Sequence, residues 1–209
     1  MGHVLLLGDS IFDNAAYVGS QPSVLEHLRQ ALPTGWRATL AAVDGASVVD
    51  VGSQLSGMDR SATHLFVSAG GNDALNSSGV FADAVRTVAE AAGRLAVIQA
   101  RFREEYQQLM DELISLGKPL GVCTIYDAIP GLGEAESTAL AVFNDVILRS
   151  ALSARAAVID LRLTCDEAAD YSNVSPIEPS AAGGAKIARV IAEVAVKHDF
   201  SLRYGSVYW

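Results

Sequence analysis

Five stretches of this chain are rich in apolar or β-forming residues, and each runs into small or polar residues. Val4-Leu5-Leu6-Leu7 ends at Gly8-Asp9-Ser10. Arg37 to Val43 stops at Asp44-Gly45-Ala46, and Thr63 to Ser68 runs into Ala69-Gly70-Gly71-Asn72-Asp73. Leu120 to Ile125 and Ala156 to Asp160 complete the set. Short continuous apolar runs of this kind predict strands buried on both faces, as in a parallel sheet. Between them the apolar positions recur at helical spacing. After a loop from Ile11 to Gly19, Val24, Leu25, Leu28 and Leu32 share one helical face, with Ser20 a candidate cap, Pro22 at the start and Pro33 at the end. Val48, Val51 and Leu55 predict a short amphipathic helix. A long helix is expected over Val80 to Leu116, with Gly93 a point of interruption and Phe102, Tyr106, Leu109, Leu113 and Leu116 as its core stripe. Glu136 to Leu152 and Ala181 to Lys197 are the last two helices, the second preceded by a polar loop from Leu163 to Pro179. The aromatic tail, Ser201 to Trp209, reads as a packed flap or a contact between copies.

Strand and helix alternate throughout, without linker, internal repeat or low-complexity segment. The expectation is one α/β domain over residues 1–209, with a five-stranded parallel sheet in the flavodoxin-like order 2-1-3-4-5 and helices on both faces. The chain has 209 residues, half of them hydrophobic and 19% charged, which is enough to build a full core. Its formal net charge of -9 repels phosphate backbones and anionic lipid heads, which argues against nucleic acid as a partner. Cys123 and Cys165 form no spaced framework. The first strand begins almost at Met1, leaving no room for a signal peptide, and no apolar run is long enough to span a bilayer. These features set the expectation of a cytoplasmic protein without membrane insertion. No His, Cys and carboxylate cluster has metal-ligand spacing, and Gly70-Gly71 lacks the nucleotide-binding glycine patterns, so neither metal nor cofactor is expected.

The chemistry gathers at one end of the predicted sheet. In open α/β sheets, ligands bind outside the carboxyl ends of the strands. Three small-residue turns crowd there if strands 2, 1 and 3 are neighbours. They hold the parts that acyl transfer requires: a hydroxyl nucleophile in Ser10, a closely approachable backbone N–H at Gly45, and a side-chain N–H donor in Asn72.

Gly8-Asp9-Ser10, Gly45 and Gly70-Gly71-Asn72-Asp73, in this order and each ending a predicted strand, resemble the conserved blocks of the SGNH, or GDSL-type, hydrolases. The resemblance covers nearly the whole chain. It implies a three-layer α/β/α fold, with Ser10 as nucleophile and the Ser10 N–H, Gly45 N–H and Asn72 side chain as oxyanion hole. It also implies a small-molecule substrate: the family hydrolyses carboxylic esters and thioesters and removes acetyl groups from sugars. Acetyl, aryl and short-acyl esters are the expected substrates here. The G-x-S-x-G elbow of ordinary α/β-hydrolases is absent around Ser10.

The fourth block of that family, D-x-x-H before the last helix, is not matched. Its place is taken by Ser175-Pro176-Ile177-Glu178-Pro179-Ser180, which puts Glu178 at the histidine position and Ser175 at the aspartate position. No other histidine is expected to substitute. His3 and His64 open strands at the far end of the sheet, about 17 Å away along a five-residue strand. His27 lies mid-helix and His198 near the end of the last helix. Two readings follow. In one, Glu178 is a general base that becomes neutral on accepting the Ser10 proton, so the aspartate that would stabilise an imidazolium has no further task. In the other, the catalytic set has decayed and the cleft binds an acyl or acetylated ligand. A third class, an interaction protein, rests on the aromatic tail alone. Asp9 reads as a turn-stabilising acceptor. Asp13, Asn14 and Asp73 are expected to ring the mouth, Tyr126 and Asp127 to face the substrate, and Asp170, Tyr171 and Asn173 are candidates to support Glu178.

Overall fold

The computed structural model describes every residue except Arg203. In chain order the elements are β1 (His3–Gly8), α1 (Val24–Ala31), β2 (Arg37–Leu40), α2 (Val48–Ser56), β3 (His64–Ser68), α3 (Gly71–Asn76), α4 (Val88–Ser115), β4 (Leu120–Cys123), α5 (Glu134–Ser153), β5 (Ala157–Ile159), α6 (Leu161–Thr164), α7 (Ala181–Lys197) and β6 (Ser206–Tyr208). The strands form one parallel sheet in the order β2-β1-β3-β4-β5-β6.

Alternation along the strands divides the core in two. Val4, Leu6, Phe66 and Ile159 point to one face, where α1 and α7 cover them with Val24, Leu28, Ile187 and Ile191. Leu5, Leu7, Leu65, Val67 and Val122 point to the other, covered by α2, α4 and α5. Successive side chains leave a strand on opposite faces, so an unbroken apolar run such as Leu5-Leu6-Leu7 requires both layers.

The sheet has six strands rather than five. The sixth comes from the aromatic tail, which pairs Ser206, Val207 and Tyr208 with Ala157, Val158 and Ile159. The Asp160 N–H donates to Tyr208 O at 2.8 Å, and the Tyr208 hydroxyl lies 2.6 Å from His198 Nδ1. Arg203 of that tail lies outside the described residues. Strand β2 is shorter than the sequence predicts because the N–H groups of Ala41 and Ala42 both reach Leu6 O, which breaks the ladder. Helix α1 starts after Ser23, not Ser20: Glu26, three residues on, completes a capping box with it. The long helix begins at Val88, after a separate 3-10 turn over Ser78–Ala82, and runs unbroken through Gly93. No helix among the described residues is long and apolar enough to cross a membrane.

At the end of β1 the backbone is pinched. Gly8 has φ +126°, and a Cβ there would lie 1.8 Å from Ser68 O. The Gln54 side chain of α2 grips the same peptide units, accepting from Gly8 N–H and donating to Gly8 O, each at 2.8 Å. A substitution at Gly8 therefore meets both left-handed strain and a clash with backbone that cannot swing away. Gly8→Ala is expected to cost about 3 kcal/mol of stability, measured by urea unfolding. A midpoint equal to wild type would contradict this account of the turn.

Candidate active site

The turn after β1 presents Ser10 at the carboxyl end of the sheet. Asp9 builds that turn. Its Oδ1 accepts the Ile11 N–H at 3.1 Å, and its carbonyl accepts the N–H groups of Phe12 and Asp13, both at 3.1 Å. The hydrogen-bonding role expected of Asp9 is thus the one it has. Its carboxyl is 2% exposed, and its pKa is raised to about 7. Burial is the main cause, and the charge of Glu178 adds to it.

Ser10, Asn72, Tyr126 and Glu178 line a single cleft of about 850 Å³ of empty space, the open solvent at its mouth included. Asn72 sits in the first turn of α3, where its Nδ2 donates to Ala46 O at 3.0 Å. An amide nitrogen carries two N–H groups. The bond to Ala46 uses one, fixes the plane of the side chain and ties the asparagine turn to the glycine turn. Gly45 lies at the exposed tip of that neighbouring turn with φ +79°, outside the cleft wall.

Glu178 enters from the loop before α7 and is 5% exposed. Its Oε2 is buried without a hydrogen-bond partner. Burial raises its pKa to about 7; the nearby Ser10 hydroxyl acts against that rise, and the charge of Asp44 adds to it. The Ser10 hydroxyl and the Glu178 carboxyl thus line the same cleft, both residues largely buried. The loop that carries Glu178 is anchored at Asp170, which is 1% exposed and bonded to Lys186 Nζ at 2.8 Å. Asp170 O also accepts the Ser180 N–H, and Tyr171 bridges to Pro179. These contacts bear out the support expected of Asp170 and Tyr171, whereas Asn173 is exposed. Ser175 offers its backbone carbonyl to Glu178 N–H at 3.0 Å, a turn contact that orients the loop.

The remaining expectations divide. Tyr126 lines the cleft, and its hydroxyl donates to Ile177 O at 2.6 Å. Asp13 and Asp73 do not line it. Asp13 Oδ2 accepts the Asp44 N–H, and Asp73 Oδ2 accepts the first N–H of α2, at Val48. Both carboxylates hold backbone at turns. Asp127 is outside the wall as well. None of the four histidines lines the cleft; His3, the most buried, bonds Thr39 and Ser61 at the far end of β1.

The wall of the cleft carries no signal of its own in the sequence. Leu75, Phe81, Ile125, Ile129, Leu132, Leu140 and Phe143 make one side of the cleft apolar. In the sequence Phe81, Leu140 and Phe143 fall in predicted helices and Ile125 ends a predicted strand, while Leu75, Ile129 and Leu132 lie in segments with no helical or strand period.

A family model described as GDSL-like Lipase/Acylhydrolase matches residues 6–186. The chain belongs to this family. Its solved relatives share the fold at low identity. The extracellular lipase of Streptomyces rimosus is 21% identical, with TM-score 0.69 over 94% of this chain and 100% of that one. A lipase from goat rumen metagenome is 14% identical, with TM-score 0.72 over 90% and 94%. The acetyl xylan esterase Axe2 of Geobacillus stearothermophilus is 16% identical, with TM-score 0.67 over 93% of both chains. A comparison with curated proteins finds no match. The GDSL assignment, with esterases and lipases as structural neighbours, supports a hydrolase.

Proposed function

We propose that this GDSL-family protein is a carboxylic ester hydrolase in which Ser10 is the nucleophile and Glu178 the general base. The observation that carries the reading is the unpartnered, buried carboxylate oxygen of Glu178 in the same cleft as the Ser10 hydroxyl. An unpaired buried carboxyl is costly to keep. A decayed site has no use for one, whereas a base must keep an oxygen free for the proton it takes.

In this reaction Ser10 Oγ attacks the ester carbonyl as its proton passes to Glu178. The developing oxyanion is met by the free Asn72 Nδ2–H and the Ser10 N–H, whereas Gly45, outside the cleft wall, is not assigned a part. Glu178 then returns the proton to the departing alcohol oxygen, leaving an acyl group on Ser10. A water, deprotonated by the same carboxylate, releases the acid and restores the serine.

The apolar wall supports an acyl chain longer than acetyl as the preferred group. Each methylene buried contributes about 0.8 kcal/mol, so kcat/KM should rise at least about tenfold between acetyl and octanoyl esters of one aryl alcohol. Steady-state rates on that series test the reading. A monotonic fall from acetyl onwards would contradict it and restore the short-acyl expectation.

A further inference from the structure

Three consecutive carbonyls around Glu178 are each held by a different part of the chain. Ile177 O accepts the Tyr126 hydroxyl at 2.6 Å, from the loop after β4. Glu178 O accepts the Ser172 N–H at 2.8 Å, from within the same loop. Pro179 O accepts Asn14 Nδ2 at 3.1 Å, from the segment that follows Ser10. Asn14 is fully buried, and its Oδ1 accepts the Val24 N–H at the start of α1 at 2.9 Å. The amide is therefore fixed at both ends. Tyr126 is equally enclosed, with its ring edge-on to Tyr171, the residue that bridges to Pro179. The peptide between these two clamps is the one that bears Glu178.

We propose that Asn14 and Tyr126 are positioning residues that lock the Ile177–Pro179 turn to the nucleophile loop and to the end of β4, and so keep the Glu178 carboxyl desolvated against Ser10. This rests on the reading of Glu178 as base. Two features set the clamps apart from ordinary loop anchors. They act on the residues immediately before and after Glu178. They also reach it from two other segments of the site, since Asn14 is four residues from Ser10 and Tyr126 lines the cleft. A glutamate is a weak base unless burial raises its pKa, and burial lasts only while the turn is held. A displaced turn admits water to Glu178 and moves it from the serine hydroxyl, and a misplacement of about 1 Å can cost about 100-fold in rate.

Two conservative variants test this. Tyr126→Phe removes only the hydroxyl. Asn14→Asp keeps the acceptor for Val24 N–H and replaces the donor to Pro179 O with a carboxylate oxygen. Each is expected to lower kcat by about tenfold or more with KM within about twofold. The Glu178 side-chain carboxyl, followed by carbon-13 NMR in the intact protein, should titrate closer to an ordinary glutamate than in wild type. The NMR readout needs no turnover, so it judges the clamps even if the wild type hydrolyses no ester tested, a failure that would belong to the proposed function. If Asn14→Asp does not fold, Tyr126→Phe alone decides. A folded variant with wild-type kcat and a wild-type Glu178 midpoint would overturn the proposal.

Discussion

Glu178→Gln should lower kcat for ester hydrolysis by about 10²–10⁴, the range a positioned general base contributes. The substitution keeps the shape of the side chain and removes only its capacity to take a proton. It also replaces a carboxyl that is expensive to bury, so a loss of activity by unfolding is not expected. The effect should carry a pH signature. Burial raises the Glu178 pKa from 4.5 to about 7, and a base works only when ionised. The wild-type rate should therefore rise through about pH 7 and fall about tenfold per unit well below it. Asp9 is raised to about 7 in the same cleft, with the Glu178 charge among the causes, so the limb belongs to the two carboxyls jointly. The Gln variant should lose the limb along with the rate. A Glu178→Gln enzyme within about threefold of wild type at pH 8 would remove Glu178 from the mechanism.

Ser10→Ala should be the more severe change, lowering kcat by at least about 10³. A site stripped of its nucleophile retains only what binding and the oxyanion donors contribute. Asn72 and the apolar wall are untouched by this substitution, so the substrate should still bind. The free fatty acid product should therefore bind Ser10→Ala with an affinity similar to that for wild type, measured by titration calorimetry. Loss of binding as well as turnover would mean that the serine supports the cleft rather than the reaction.

Much of this site was legible because its parts are local. A strand ending in Gly8-Asp9-Ser10 can be read from the seven residues Val4 to Ser10, and the flanks of Glu178 place it before the last helix without any knowledge of packing. The two-faced core was legible too, since an apolar run without alternation demands a layer on each side. What escaped depends on contacts between distant segments. The three residues of β6 carry no pattern of their own and become a strand only by pairing with β5. Helix α3 begins in Gly71, Asn72 and Asp73, poor helix formers, and its start is set by the geometry at the end of β3. Asp73 looked like a member of the cleft mouth because it follows Asn72, yet one residue along a helix turns a side chain by about 100°, here towards the start of α2. The turn that carries Glu178 is held by hydrogen bonds from Tyr126 and Asn14, which lie 52 and 164 positions before it.

The most direct test of the account is the rate at which an activated aryl phosphonate labels the wild-type protein across pH, followed by intact mass and located by peptide mapping. Phosphonylation reports the nucleophile and its base without depending on the choice of ester. The account predicts a single adduct on Ser10, formed at a rate that rises through about pH 7 and loses that dependence in Glu178→Gln. An adduct on another residue, or labelling of Ser10 at a rate indifferent to pH and to Glu178, would contradict it.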